Sequence, residues 1–279
     1  MAETRTESAT LGATARWTAA VRARESARED ALLHDPWAAA LAGPDGMAWV
    51  AQRPPDAVIP MIVRTRFFDD FLQRVTREDE LRQVVLMACG LDTRAFRLPW
   101  PAGTRVFELD QPAVLAYKEQ VLRAADAEPT CERRTVSVDL RGAWSEQLTQ
   151  SGFDLHASAV WLLEGFLFYL PSDDLTRLLD EVARRATSGS WLGCDVVNSA
   201  VLTSPWTRAW IEMQAQSGAP WLGALDDPAA FLSARGWLAQ LTQPGEENAG
   251  YGRWRLPVIP MSQPELPHTW YVTARKRIG

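Results

Sequence analysis

Apolar runs and amphipathic stretches alternate along the chain from residue 83 onward. The run Val84 to Met87 is wholly apolar, as is typical of a strand buried on both faces of a parallel sheet. Between such runs, apolar residues recur at helical spacing, as with Leu175, Leu178 and Val182. The pattern predicts strands at residues 83–87, 105–109, 133–138, 157–163, 191–197, 236–241 and 269–274, with helices at about 113–125, 143–149 and 172–186. We therefore expect an α/β fold whose two last strands form an antiparallel hairpin.

The residues before the first predicted strand carry helical patterns. Helices are predicted over about 14–41, interrupted at Asp35-Pro36, and over about 60–77, where Phe67 and Phe71 lie on one apolar face, with a loop at 43–46. We expect residues 1–80 to form a helical lid and 81–279 to form the α/β domain of the same structural unit. Further helices at 205–216 and after Asp227 predict an insertion at about 199–235, before the last strands.

Composition and charge exclude several classes of protein. Hydrophobic residues make up 47% and the net charge is −6, which is ordinary for a soluble globular protein and argues against nucleic acid as a partner. No run approaches the roughly 20 apolar residues of a membrane span, and the N-terminus lacks the apolar core of a signal peptide. The three cysteines share no motif spacing, so we expect reduced thiols, no metal and a cytoplasmic location.

Acidic residues follow several of the predicted strands. Asp110, Asp139 and Glu164 each stand at a strand end, and the turn Ala88-Cys89-Gly90 follows the first strand. Because the carboxyl ends of parallel strands meet at one edge of a sheet, we expect these groups to converge on a ligand rich in hydroxyls and amines. Carboxylates repel phosphate, so a polyphosphate ligand is disfavoured.

Several common catalytic motifs are missing from the sequence. It contains no phosphate-binding GxxxxGK[ST] loop, no GxGxxG dinucleotide fingerprint and no G-x-S-x-G nucleophile turn. The three histidines, His34, His156 and His268, are isolated, and we interpret them as surface or structural residues.

Longer stretches carry a more specific signal. The following segments occur in this order between about residues 14 and 190: TARWTAAVRARES, LLHDPWA, VRTRFFDDFL, VVLMACGLDTRAFRL, VFELDQPAVLAYK, DLR and WLLEGFLFYLP. Together they resemble the leucine carboxyl methyltransferase family, including its bacterial branch of S-adenosylmethionine-dependent O-methyltransferases from polyketide and other secondary-metabolite pathways. The resemblance implies a class I methyltransferase (Rossmann-like) fold. It also implies S-adenosylmethionine as cofactor, with S-adenosylhomocysteine as its product.

The resemblance assigns residues to the amino-acid end of this cofactor. Arg64, in VRTR, resembles the lid arginine that meets the methionine carboxylate, and Arg24 lies where a second basic lid residue is expected. Glu164 resembles the acid that binds the methionine amino group. An acid that directly follows an apolar strand is costly to bury without a partner, which favours a binding role for Glu164.

The nucleoside end is assigned in the same way. Asp110 resembles the acid that holds the ribose hydroxyls, and Asp139 and Leu140 resemble the pair beside the adenine. The turn carrying Ala88 and Gly90 is expected to approach the cofactor. The family usually has Gly-Ala-Gly there; we expect Ala88 to adopt an ordinary backbone conformation, with its methyl group lowering cofactor affinity.

The chemical class of the methyl acceptor is inferred from the lack of a candidate general base in the sequence motifs. A carboxylate is already ionised at pH 7, whereas a phenol needs a general base, and no histidine stands at a motif position. We therefore expect methyl-ester formation on a carboxylate of a natural product or peptide, with Tyr169 positioning the acceptor, as the resemblance implies. An apolar or aromatic acceptor is indicated by aromatic residues in the lid and insertion, namely Trp17, Trp37, Phe67, Phe68, Trp206, Trp210 and Trp221.

Three alternatives stay open at this point. The first is methylation of a phenolic or enolic hydroxyl of a polyketide-type metabolite. The second is a non-catalytic protein of the same fold with weakened cofactor binding, for which Ala88 is the sequence support. A nicotinamide-dependent reductase is a third, disfavoured by the missing glycine fingerprint.

Overall fold

A seven-stranded sheet forms the centre of the protein. The computed structural model describes the backbone of residues 2–277 and the side chains of residues 14–277. The strands are β1 Gln83–Met87, β2 Arg105–Asp110, β3 Glu132–Ser137, β4 Ala159–Leu163, β5 Trp191–Val197, β6 Trp237–Thr242 and β7 Thr269–Lys276. Each lies within about two residues of its predicted position.

The strand order is β3-β2-β1-β4-β5-β7-β6. Strands β1 to β5 run parallel, and β7 is antiparallel to both β5 and β6. The predicted terminal hairpin is confirmed, and the order agrees with the class I fold that the resemblance implied. After β1 the chain adds β2 and β3 on one side of that strand, and it then crosses over to add β4 and β5 on the other side. A crevice therefore opens at the carboxyl ends of β1 and β4, where open α/β sheets bind ligands.

Helices cover both faces of the sheet. Their bounds are α1 Ala2–Ser26, α2 Ala38–Ala51, α3 Ile59–Glu78, α4 Arg94–Arg97, α5 Pro112–Ala124, α6 Trp144–Gln150, α7 Ser172–Arg185, α8 Ser199–Thr203, α9 Arg208–Gln216 and α10 Pro228–Ser233, with 3₁₀ turns at Pro55–Val58 and Leu167–Tyr169. The loop predicted at 43–46 is instead a kink inside α2, where Gly43 has a φ of +63°. Asp227 caps α10 by accepting a hydrogen bond from the backbone N–H of Ala230. Among the helices of the described chain, none has the length and apolarity needed to cross a membrane.

The apolar run of β1 is explained by two separate cores. Val84 and Leu86 point to the core shared with α1, α2 and α3, whereas Val85 and Met87 point to the core shared with α6 and α7. Successive strand residues face opposite sides of a sheet, so a strand covered on both sides has no polar positions. The packing of α3 on the sheet is close, since a β-carbon added at Gly193 would lie 2.7 Å from the Phe71 ring.

Candidate active site

A cavity of about 410 Å³ opens at the carboxyl ends of β1, β2 and β4. Its floor is formed by the turn after β1 and by the ends of the neighbouring strands, and α1, α2, α3, α9 and the loop 218–222 contribute its other walls. The structure brings eight of the nine predicted site residues to this cavity, namely Arg64, Ala88, Gly90, Asp110, Asp139, Leu140, Glu164 and Tyr169.

Arg24, the ninth, lies elsewhere. Its guanidinium donates to the carbonyl oxygens of Val50 and Arg53, each at 2.9 Å, and so holds the end of α2. The cofactor contact predicted for Arg24 therefore has no support in the geometry. Arg22 lines the cavity instead: it pairs with Asp35 at 2.8 Å and donates to a carbonyl oxygen of the turn after β1. The two arginines are two positions apart on α1, so they point in different directions.

A partly buried pair of opposite charges lines the cavity. Arg64 Nε lies 3.1 Å from Glu164 Oε1, and Arg64 Nη1 lies 3.0 Å from Asp195 Oδ2. Burial acts to lower the pKa of Arg64, but Asp195 and Glu164 raise it overall, so the guanidinium stays charged. A cation beside an anion matches the carboxylate and ammonium groups of an amino acid.

Arg94 forms a second ion pair with Glu164 and also binds Asp69. Its Nη2 lies 2.6 Å from Glu164 Oε2, and its Nε lies 2.6 Å from Asp69 Oδ1. Asp92, which lines the cavity, accepts the backbone N–H of Arg94. Burial acts to raise the pKa of Asp92, but Arg94 and Arg97 lower it to about 2. Sequence reasoning missed Arg94, although it stands within the LDTRAF segment that carried the resemblance.

Asp110 fastens the turn after β1. Its Oδ2 accepts the backbone N–H of Gly90 at 2.6 Å, and its Oδ1 accepts that of Gln111 at 2.7 Å. Burial raises the pKa of Asp110, while these two N–H groups act to lower it. A carboxylate has about four acceptor positions, so two remain for hydroxyl groups of a ligand.

The backbone at Ala88 differs from the prediction. Ala88 has a φ of +51°, in the left-handed region, as does Gly90 with the same angle. A β-carbon in this region costs roughly 1–2 kcal/mol, which is why glycine is preferred there. The expectation of an ordinary conformation at Ala88 was therefore wrong.

Asp139 and Leu140 follow β3 and also line the cavity. Asp139 accepts the backbone N–H of Arg141 at 2.9 Å and pairs with its guanidinium at 3.0 Å. Its side chain is 50% exposed, which places it at the cavity mouth. Leu140 is buried and offers an apolar surface to a flat ring.

Aromatic side chains make up part of the cavity lining. Trp17, Trp210 and Trp221 of the predicted set are present there, with Trp49, Phe168 and Tyr169. The other four are elsewhere: Trp37 packs on Phe96, Phe67 and Phe68 pack on Tyr271, and Trp206 is 74% exposed. The histidines also lie outside this cavity within the described chain, and His268 is held by Gln243 and Gln263.

A comparison with known protein families identifies the family of this chain. A sequence model of the family described as leucine carboxyl methyltransferase matches residues 15–183, more than half of the chain. The chain belongs to the leucine carboxyl methyltransferase family. This match confirms the family inferred from the motifs, and it spans α3, the turn after β1 and Glu164.

Two relatives extend over most of the chain. A protein of Streptomyces coelicolor is 40% identical over 253 residues, which are 86% of this chain and 88% of that protein. A protein of Parafrankia is 41% identical over 284 residues, covering 98% and 89%. Both bear the name "putative S-adenosyl-L-methionine-dependent methyltransferase".

A solved structure shows the same fold. A crystal structure of a Thermobifida fusca protein aligns with a TM-score of 0.58 at 17% identity, covering 95% of this chain and 94% of that one. Seven strands in the order found here, with β7 antiparallel, make up the class I methyltransferase fold. The predicted fold class is thereby confirmed.

Proposed function

We propose that this protein is an S-adenosylmethionine-dependent O-methyltransferase that forms a methyl ester on a carboxylate of an apolar or aromatic natural product or peptide. The family and the names of the two relatives support the methyltransferase class. The observation that carries the proposal is the Arg64–Glu164 pair in the same cavity as Asp110 and the turn after β1.

The charges in the cavity suit this cofactor at each end. Arg64 and Glu164 would hold the carboxylate and ammonium groups of its methionine part. Asp110 has acceptor positions left for ribose hydroxyls, and Leu140 offers an apolar surface to adenine. When bound, the cofactor supplies a methyl group on a sulfonium, which is electrophilic without a metal or an added acid.

The protein's own task is then to position groups and exclude water. The reacting oxygen must be held in line with the methyl group, which is worth several orders of magnitude in rate. Tyr169 lines the same cavity beside Trp221, with 6.5 Å between their ring centres, and would orient the acceptor. A carboxylate acceptor is ionised at neutral pH, so no base has to remove a proton. This suits a cavity whose described lining residues include no histidine.

Calorimetry tests the cofactor assignment. S-adenosylhomocysteine and NADPH are titrated separately into the protein; we expect the first to bind at micromolar concentrations and the second not to bind. Failure of S-adenosylhomocysteine to bind at millimolar concentration would favour the non-catalytic alternative. Binding of NADPH alone would favour a reductase.

Treatment of a methylated product with mild base then identifies the bond. An ester is hydrolysed under these conditions, whereas the ether formed from a phenolic or enolic hydroxyl survives.

A further inference from the structure

Two pairs of stacked aromatic side chains, here called the aromatic walls, line the cavity. Trp17 of α1 and Trp49 of α2 stack with their ring centres 5.0 Å apart and their planes 9° from parallel. Phe168 and Trp221 form a second stack, with centres 4.1 Å apart and planes at 30°. All four residues line the cavity. Such walls favour a flat, aromatic body over a round, aliphatic one, since ring stacking adds to the burial of apolar area.

Polar groups without charge lie beside the second of these walls. Trp221 Nε1 is buried and has no acceptor in good hydrogen-bond geometry within the described chain, although it lies close enough to the Tyr169 hydroxyl to act on its pKa; an indole nitrogen can only donate. Gln214 of α9 lines the same cavity and is only 5% exposed. Burial raises the pKa of Tyr169, while Arg64, Trp221 and Gln214 act to lower it, which places both of these polar side chains beside its hydroxyl. A buried donor without a partner is costly, so this cluster is suited to a ligand oxygen.

The arginines that line the cavity are committed to other partners. Arg22 pairs with Asp35, Arg94 with Asp69, Arg64 with Glu164 and Arg141 with Asp139. An acceptor carboxylate would therefore be received by neutral donors. Its charge would be balanced by the sulfonium of the bound cofactor, whose positive charge disappears in the same step.

We infer that Trp221, Gln214 and Tyr169 form the acceptor subsite for the carboxylate of a small, flat aromatic carboxylic acid, whose ring body lies between the two aromatic walls. This inference rests on the proposed function and names the substrate class that the site would take. The carboxylate oxygen that is not methylated accepts hydrogen bonds from Trp221 Nε1 and the Gln214 amide, and the other oxygen attacks.

The step is balanced without a base. A lone pair of the acceptor oxygen forms the new O–CH₃ bond while the S–CH₃ bond breaks, and sulfur keeps that electron pair as a neutral thioether. The anionic acid and the cationic sulfonium become two neutral groups at these positions. No proton moves, because the acid has already lost its proton to water at neutral pH.

The test measures acceptor binding by calorimetry on protein saturated with sinefungin, an unreactive analogue of the cofactor whose ammonium group carries the positive charge of the sulfonium. The probes are naphthoate, naphthol and decahydronaphthoate, which vary the acidic group and the flatness of the same carbon skeleton. We expect naphthoate to bind about fivefold more tightly than decahydronaphthoate, and about tenfold more tightly than naphthol.

Two variants examine the donors. Trp221→Phe keeps the aromatic wall and removes the N–H, and Gln214→Leu removes the amide; we expect each to weaken naphthoate binding about tenfold. Affinity for S-adenosylhomocysteine should stay at the wild-type value in both. Trp206→Phe, at a 74% exposed position outside the cavity, is the matched control and should change neither affinity.

The outcomes separate the two levels of the argument. If S-adenosylhomocysteine binds but naphthoate does not, or if naphthol binds as tightly, the subsite inference is overturned while the proposed cofactor stands. Unchanged naphthoate affinity in both folded variants overturns it equally. If S-adenosylhomocysteine itself does not bind, both the proposed function and the subsite fall.

Discussion

Asp195 holds Arg64 in the cavity wall. Asp195 Oδ2 accepts from Arg64 Nη1 at 3.0 Å, and its Oδ1 accepts the backbone N–H of Gly165 at 2.6 Å. One buried carboxylate on β5 thus fixes both the arginine of α3 and the turn after Glu164. Glycine is favoured at position 165 because its φ is +68°, and a β-carbon there would also displace the Arg64 guanidinium, whose Nη2 would lie 2.7 Å away.

Replacement of Asp195 by Asn should weaken cofactor binding indirectly, because Asp195 acts by holding Arg64. The amide can still accept from Gly165 but no longer carries the charge that holds Arg64. We expect about a tenfold loss of affinity for S-adenosylhomocysteine in calorimetry, since a charge-assisted hydrogen bond is lost. Asp79→Asn, which breaks a distant 3.4 Å contact with Arg275, is the control and should bind normally. Normal binding by D195N would show that Arg64 is held well enough without Asp195.

Substitution of Arg64 should lower cofactor affinity, whereas substitution of Arg24 should lower thermal stability. Arg64→Met removes a cavity residue, so we expect at least a tenfold loss of affinity for S-adenosylhomocysteine. Arg24→Met removes hydrogen bonds to the end of α2, and we expect a Tm several degrees lower with affinity changed less than about threefold. Calorimetry and thermal unfolding on both variants check this. Equal losses of affinity would place Arg24 in the cofactor site after all.

Ala88→Gly should relax the turn. Glycine removes the left-handed strain of about 1 kcal/mol, while the greater entropy of the unfolded chain offsets a similar amount. We therefore expect a free energy of unfolding within about 1 kcal/mol of wild type and a higher affinity for S-adenosylhomocysteine, because a methyl group leaves the cavity lining.

The matched control for this variant is Ala125→Gly. Ala125 is exposed and has a φ of −99°, so only the entropic cost remains and the protein should be destabilised. A similar destabilisation of both variants would mean that Ala88 carries no strain.

The ion pair of Asp92 with Arg94 should make the stability of the fold depend on pH in the acid range. The pKa of Asp92 is about 2, below its ordinary 3.8, so the pair stabilises the fold above that ordinary value. This stabilisation of about 2 kcal/mol is lost as the pH falls through that range. In denaturant unfolding, the free energy of unfolding of the wild type should exceed that of Asp92→Asn most at pH 5, and this difference should shrink toward pH 2. A constant difference would contradict the lowered pKa.

The fold could be read from the sequence because each of its layers leaves a local pattern. Strands covered on both faces are continuous apolar runs, and Leu175, Leu178 and Val182 place one side of α7 on the sheet. A single helix was predicted over 205–216, which would have put Trp206 and Trp210 on one face. In the structure α9 begins at Arg208, so Trp206 precedes it and points to solvent.

The candidate site could be predicted only in part from the sequence, because its contacts join residues that are far apart in the chain. Arg64 and Glu164 are 100 positions apart, and no local pattern shows that they pair. The choice between Arg22 and Arg24 depends on how α1 packs against α2. Ala88 was visible as a departure from the family, but its positive φ is set by the turn between β1 and α4 and not by its own preference.

The aromatic walls also make the cavity its own spectroscopic probe. Indole emission shifts and quenches when neighbouring groups or solvent change, and Trp17, Trp49, Trp210 and Trp221 all line the cavity. Entry of a ligand would therefore alter the intrinsic fluorescence without any attached dye. Trp206, 74% exposed and outside the cavity, contributes a solvent-like background that a Phe substitution would remove.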